Sequence, residues 1–152
     1  MNGHKLIPGL RLRSLTPEDA RSLSYIELEI FPAPWSEDSL KTFLALHNVD
    51  GEAATLDGEI IAYVFVQYAA DEAHILNLGV RPRYRRKGLA TLLLVRFLER
   101  ARKQQARVCY LEVRVGNTAA QKLYFKQKFA PVSVRKQYYP DGEDALILAK
   151  RL

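Results

Sequence analysis

A mixed α/β protein built on one central sheet is the fold class this sequence predicts, on three observations. The apolar pattern switches repeatedly between a period of two and a period near four. The run "EAATLDGEIIAYVFVQY" alternates like two strands around an Asp-Gly turn at Asp57 and Gly58. The strand-like "ILNLGV" then passes through a basic turn, "RPRYRRK", into an apolar helical run that begins at Gly88. With 152 residues, 48% of them hydrophobic, and no internal repeat, low-complexity tract or long linker, the chain fits one domain over residues 1–152.

Each element has a local reason. Leu10 to Ser14, "LRLRS", alternates like an edge strand. "TPEDA" then offers Thr16 as N-cap, Pro17 at the first helical position and Asp19 in the first turn, and this helix is expected to run to about Phe31. Pro32 and Pro34 break it, and Ser36 caps a second, short helix, with Trp35 and Leu40 spaced for a hydrophobic staple. The hairpin follows, then the strand "EAHILNLGV", ended by Pro82. A helix is expected from Gly88 to about Gln105, burying Leu89, Leu93, Phe97 and Ala101 while Arg96, Arg100 and Lys103 project elsewhere. The strand "RVCYLEVRV", a helix from Asn117 to about Lys126, and two strands around "VSVRKQYY" and "ALILAK" complete the order.

Composition narrows the function classes. No apolar run approaches the roughly 20 residues that span a bilayer, and "MNGHKLIPGL" lacks a signal peptide's apolar stretch, so a cytoplasmic protein without a membrane partner is expected. The single cysteine, Cys109, lies in the apolar "VCYLEV" and reads as a buried inert thiol; it can build neither a disulfide framework nor a zinc site. A net charge of +6 fits a solvated basic face or a polyanionic partner, whether nucleic acid, a ribosome or a phosphorylated cofactor.

The chemistry concentrates at "YRRKGLATLLL". A glycine at a helix start leaves backbone amides uncovered, and Arg85, Arg86 and Lys87 add positive charge at the positive end of the helix dipole, which together suit an anion. The turn also lies at the carboxyl end of a strand, where open α/β sheets place ligands. It is not a P-loop, since no G-K-[ST] follows, nor the dinucleotide fingerprint, since G-x-G-x-x-G is absent.

Arg85, Arg86, Lys87, Gly88, Leu89 and Ala90 resemble the R/Q-x-x-G-x-G/A acyl-CoA pyrophosphate loop of the GNAT acetyltransferases. "LNLGV", "YRRKGLA", "YLEVRVGN", "AQKLYFKQKF" and "YYPDGEDAL" stand in the order and spacing of the RimI-type N-terminal acetyltransferases, and "PWS" at Pro34 to Ser36 also looks like that family. The resemblance spans about Leu10 to Ala149. It implies a GNAT fold in the α/β (α+β) class, with a mixed sheet of about seven strands splayed between the fourth and fifth and flanked by about four helices. It further implies acetyl-CoA as acetyl donor with no metal, and acetylation of the N-terminal alanine of a small-subunit ribosomal protein; a monomer without direct nucleic-acid contact is expected.

Residue by residue, the resemblance gives the backbone of Leu78, Gly79 and Val80 the pantetheine arm, the amides of Arg85 to Ala90 the pyrophosphate, and Asn117 a further cofactor contact. An amide-bearing arm that pairs like an added strand and a pyrophosphate at a helix N-terminus fit that division. A backbone N–H near Val80 is the expected oxyanion donor. Gly79, where relatives usually show alanine, would ease a bulge that splays the strands; Gly116 stands where serine is frequent.

Alternation puts Tyr110, Glu112 and Arg114 on one face, so Glu112 by spacing is a surface carboxylate paired with Arg114 or a functional acid. The resemblance makes it the general base, acting through a water, and makes Tyr124, otherwise a packing aromatic, the donor to the leaving thiolate. His74 reads as a hydrogen-bonded structural histidine or a catalytic one. Tyr138 and Tyr139 match a family loop that grips the substrate peptide's first residues, although strand-end tyrosines are ordinary in sheets. Two other readings share these residues: a GNAT enzyme acting on lysine side chains or small amines, and a non-catalytic ribosome- or nucleic-acid-binding module.

Overall fold

Asp57 and Gly58 both hold positive φ, 51° and 83°, which is the backbone a two-residue hairpin turn needs between right-twisting strands. They join β2 (Val49–Leu56) to β3 (Glu59–Ala69), as the sequence predicts. This computed structural model describes residues 7–152; the first six residues of the stretch read above for a signal peptide lie outside the described residues. The other strands are β1 (Arg11–Ser14), β4 (Glu72–Val80), β5 (Val108–Arg114), β6 (Ala130–Arg135) and β7 (Ala145–Arg151). They form one seven-stranded sheet in the order β1-β2-β3-β4-β5-β7-β6. All pairings are antiparallel except β4 with β5. The helices are α1 (Ala20–Ile30), α2 (Glu37–Leu44), α3 (Leu89–Lys103) and α4 (Thr118–Lys126).

Helix starts follow the local signals. A short 3-10 turn over Pro17–Asp19 precedes α1, and the Asp19 carboxylate accepts the Thr16 N–H at 2.8 Å. Ser36 caps α2 by accepting the Ser39 N–H at 3.1 Å. Trp35 packs into the same apolar cluster as Leu40 and meets Phe43 and Phe65 edge-on, at ring separations of 4.8 and 5.2 Å.

Helices cover both faces of the centre of the sheet, and β3 is accordingly apolar along most of its length. Its Tyr63 and Phe65 join Leu23 of α1 and Leu40 of α2 in one core. Its Val64 and Val66 join Leu93 and Phe97 of α3 and Leu111 of β5 in the other. Leu89, Leu93, Phe97 and Ala101 are buried as the four-residue spacing requires, each large one contributing on the order of 1.5–3 kcal/mol. Arg96 and Arg100 reach across to β2: Arg96 grips Glu52 through Nε at 2.9 Å and Nη2 at 2.7 Å, and Arg100 bonds Asp50 at 2.8 Å and Glu52 at 3.0 Å. Cys109 is buried, and burial pushes its thiol up to about 12, which leaves it inert.

Two expectations need correction. The strand read through Tyr139 stops at Arg135, because Gln137 takes a left-handed φ of 50° and turns the chain out of the sheet. The bulge expected at Gly79 lies instead at Leu76, where Phe65 pairs with Asn77 and Val66 with Ile75, so one residue of β4 is left over. Gly79 answers a different need. A Cβ there would sit 2.9 Å from both Cζ and the hydroxyl oxygen of the fully buried Tyr63.

Candidate active site

β4 and β5 pair only over Glu72–His74 with Val108–Tyr110, after which they part. Beyond His74, β4 keeps its ladder to β3 but presents its other edge unpaired. Direction along that edge follows from alternation. The Arg81 N–H donates to Ile61 on the β3 side, so Gly79 also addresses β3, whereas Leu78 and Val80 turn their backbone groups to the open side. Of the three residues read for a pantetheine arm, then, two face the gap and Gly79 faces Tyr63. The Val80 carbonyl is already taken, accepting Nε of Arg85 at 3.2 Å.

The gap is the mouth of a cleft of about 370 Å³. Leu78, Glu112, Asn117, Tyr124, Tyr138 and Tyr139 line it, together with His74 and the loop residues Phe31 and Trp35. Gly79, Val80 and Arg85 to Ala90 are not part of that lining; the basic turn follows at the carboxyl end of β4. Arg86 and Gly88 in the turn both hold left-handed φ, 62° and 79°. Gly88 is the N-cap of α3, and no side chain caps the helix there, so the amides of its first turn stay available. Arg85, Arg86, Lys87 and Gly88 are exposed, while the Leu89 side chain is buried and leaves only its amide to a ligand.

Glu112 does not pair with Arg114. Its Oε2 lies 2.6 Å from Nε2 of His74, across the point where the strands separate. Arg114 instead turns to the β6–β7 loop, bonding Asp141 at 2.7 Å and Glu143 at 2.9 Å and lying 4.0 Å over the Tyr139 ring. Glu143 also accepts the Gly116 N–H at 2.9 Å, and a Cβ at Gly116 would come within 2.7 Å of that same carboxylate. That contact is with the far end of the flexible Glu143 side chain, so a serine there would shift the carboxylate and loosen the tie rather than be shut out. These bonds fasten Tyr138 and Tyr139 at the cleft, their rings edge to face at 5.0 Å.

Tyr124, on α4, is buried and packs edge-on against Phe129 at 5.6 Å. Burial raises its hydroxyl well above the usual tyrosine range, with Cys109 and Tyr139 adding to the effect, so the proton stays on. Tyr139 is pushed up to about 12, first by burial. Asn117 caps α4, its Oδ1 accepting the Ala120 N–H at 3.1 Å, which leaves the side-chain amide nitrogen for a ligand.

One supporting network was not foreseen from the sequence. Glu27 of α1 is fully buried, accepting the Trp35 N–H at 3.0 Å, Asn77 Nδ2 at 2.7 Å and the Tyr63 hydroxyl. Burial holds its carboxyl above the ordinary range, opposed by those three donors. It joins α1, the cleft loop before α2, and the two central strands. The signal was present: Leu23, Ile26, Glu27 and Ile30 share one helical stripe, so a carboxylate sits on the buried face. Among the described residues no group of three or more His, Cys, Asp or Glu side chains is placed to hold a metal ion.

A sheet parted at its centre, an open strand edge and an uncapped helix N-terminus beyond it define an α/β fold with a slot between its central strands. The family model described as the Acetyltransferase (GNAT) family matches residues 20–129, and the chain belongs to that family. Within it, the chain is similar to the ribosomal protein bS18-alanine N-acetyltransferase of Escherichia coli, 33% identical over 141 residues that cover 91% of this chain and 95% of that protein. A Bacillus subtilis protein provisionally named for the same activity is 36% identical over 140 residues, covering 90% and 92%. The crystal structure of the Escherichia coli ribosomal-protein-S18-alanine N-acetyltransferase superposes with a TM-score of 0.87 at 32% identity, over 93% of each chain. The RimI-type resemblance in the sequence and the splayed GNAT sheet it implied are both found.

Proposed function

We propose that this protein transfers the acetyl group of acetyl-CoA to the N-terminal α-amine of a protein chain, an alanine on ribosomal protein bS18. The observation that carries the reading is the parted β4–β5 edge: Glu112 and Tyr124 line the cleft that opens there, and the uncovered amides of α3 follow the carboxyl end of β4. The pantetheine arm would pair with Leu78 and Val80, and the pyrophosphate would rest on the amides of Gly88 to Ala90 beside Arg85, Arg86 and Lys87. The Asn117 amide would complete the cofactor contacts.

In this reading Glu112 takes a proton from the α-ammonium through a water. The neutral amine attacks the thioester carbon, with the developing oxyanion facing the Val80 N–H. As the tetrahedral intermediate collapses, the C–S bond breaks and the Tyr124 hydroxyl protonates the departing thiolate. The second proton of the nitrogen returns to the Tyr124 oxygen and Glu112 releases its proton to solvent, so that acetylated chain, free CoA thiol and one proton leave and both side chains are restored. Tyr138 and Tyr139 would hold the first peptide units, so that a chain terminus and not a side chain reaches the thioester. The chemistry favours the same choice: freeing a lysine amine, pKa about 10.4, costs roughly 3 kcal/mol more at equal pH than freeing an α-amine near 8.

The test uses an alanine-starting peptide with an internal lysine, once with a free N-terminus and once blocked. Tandem mass spectrometry is expected to place acetyl on the free α-amine alone. Equal labelling of lysine in the blocked peptide would overturn the N-terminal reading.

A further inference from the structure

Among the described residues the Glu112 carboxylate has one hydrogen-bond partner, the ring of His74. We propose that His74 is the positioning residue for Glu112: it holds Oε2, so that Oε1 alone is offered to the water or amine in the cleft. This rests on Glu112 being the base, as proposed above.

The placement comes from the parting of the strands. His74 is the last residue of β4 that pairs with β5, opposite Tyr110, and Glu112 stands two residues further along β5, where the gap has opened. Both side chains lie on the same face, and the imidazole bridges the widening space at 2.6 Å. At that separation a bare ring lone pair and a carboxylate oxygen would repel, so one proton lies between them. The contact is therefore directional. Among the described residues no Lys or Arg pairs with the carboxylate: Arg114, the nearest in sequence, is committed to Asp141 and Glu143, and the residue facing His74 from β3 is the neutral Gln67.

Position explains why such a tether matters. The terminal torsion of a glutamate is broad and nearly two-fold, so an untied carboxylate would exchange its two oxygens and wander. Proton transfer depends on a donor and acceptor within hydrogen-bond reach, and small misplacement costs rate steeply. His74 is the outer member of the pair, its side chain 40% exposed against 14% for Glu112, so the ring also stands between Oε2 and bulk water. A half-exposed pair of this kind adds little to stability. Its consequence is to aim the carboxylate.

The experiment compares H74A, H74Q, E112Q and the double variant H74A/E112Q, with acetyl-CoA and the alanine-starting peptide. H74A is expected to lower kcat about tenfold, with KM for both substrates changed by less than about twofold. H74Q, whose amide can donate from nearly the same place as Nε2, is expected to recover most of that loss. In the E112Q background H74A should add nothing, because the group it aims is gone. Wild-type kcat in H74A, no recovery in H74Q, or the same loss in both backgrounds would overturn the proposal. E112Q at full rate would instead overturn the assignment of the base, and no turnover by the unchanged protein would overturn the transferase reading. Acetyl-CoA binding by calorimetry separates lost turnover from lost fold.

Discussion

Gly79→Ala places a single methyl group where the structure leaves no room for one. The added Cβ would meet Tyr63 Cζ and the hydroxyl oxygen at 2.9 Å and Cε1 at 3.1 Å, against ordinary contacts beyond about 3.4 Å. Tyr63 has nowhere to retreat. It is fully buried, its hydroxyl is bonded to Glu27, and its ring stacks on Phe65 at 6.1 Å with 10° between planes. Overpacking of a tight core costs about 1–3 kcal/mol, and if the ring slides the bond to Glu27 weakens by about another 1 kcal/mol. A loss of roughly 2–4 kcal/mol corresponds to a fall in Tm of about 4–16 °C for a chain of this size. Thermal and urea denaturation of the wild type, G79A, Y63L and the double variant measure the fall in Tm and the coupling. The two substitutions should couple, G79A costing much less once the tyrosine ring is gone. An unchanged Tm in G79A, or strict additivity in the double variant, would refute the claim that Tyr63 dictates glycine at this position.

Three further outcomes are expected. Burial by itself would raise the Glu52 carboxyl, but the Arg96 hydrogen bonds and the charges of Arg100 and Arg96 outweigh it and hold the group below its usual 4.5. A depressed folded value stabilises above the unfolded one and is lost as pH falls, so E52Q should cost about 1–3 kcal/mol at pH 7, and the gap to wild type should close below about pH 4 in urea titrations. G88V puts a branched side chain at φ 79° on the N-cap of α3, and acetyl-CoA affinity by calorimetry should fall at least about tenfold, or 1.4 kcal/mol; unchanged affinity would displace the pyrophosphate from this turn. Y124F should lower kcat by about two orders of magnitude with the Tm almost unmoved, since the ring and its edge-on packing against Phe129 are kept; a wild-type rate would remove Tyr124 from the acid role.

Much of this protein was legible from neighbouring residues alone, because the responsible forces act over a few positions. Asp57 and Gly58 set the hairpin, Ser36 caps α2, the four-residue recurrence of Leu89, Leu93, Phe97 and Ala101 buries α3, and glycine at position 88 uncovers its amides. The family resemblance carried the splayed sheet, which no local pattern contains. Tertiary structure decided which charges meet. Glu112 and Arg114, two residues apart on one strand, looked like partners, yet side chains on adjacent same-face positions point in parallel, and each found its counter-group elsewhere. Glu112 meets His74 across 38 residues of sequence, Arg114 meets Glu143 across 29, and Glu27 meets Tyr63 and Asn77 across 36 and 50. Those distances close only when the sheet has formed and its strands have parted, and so the tie on Glu112, the glycine opposite Tyr63 and the anchoring of the Tyr138–Tyr139 loop could be read only from the folded chain.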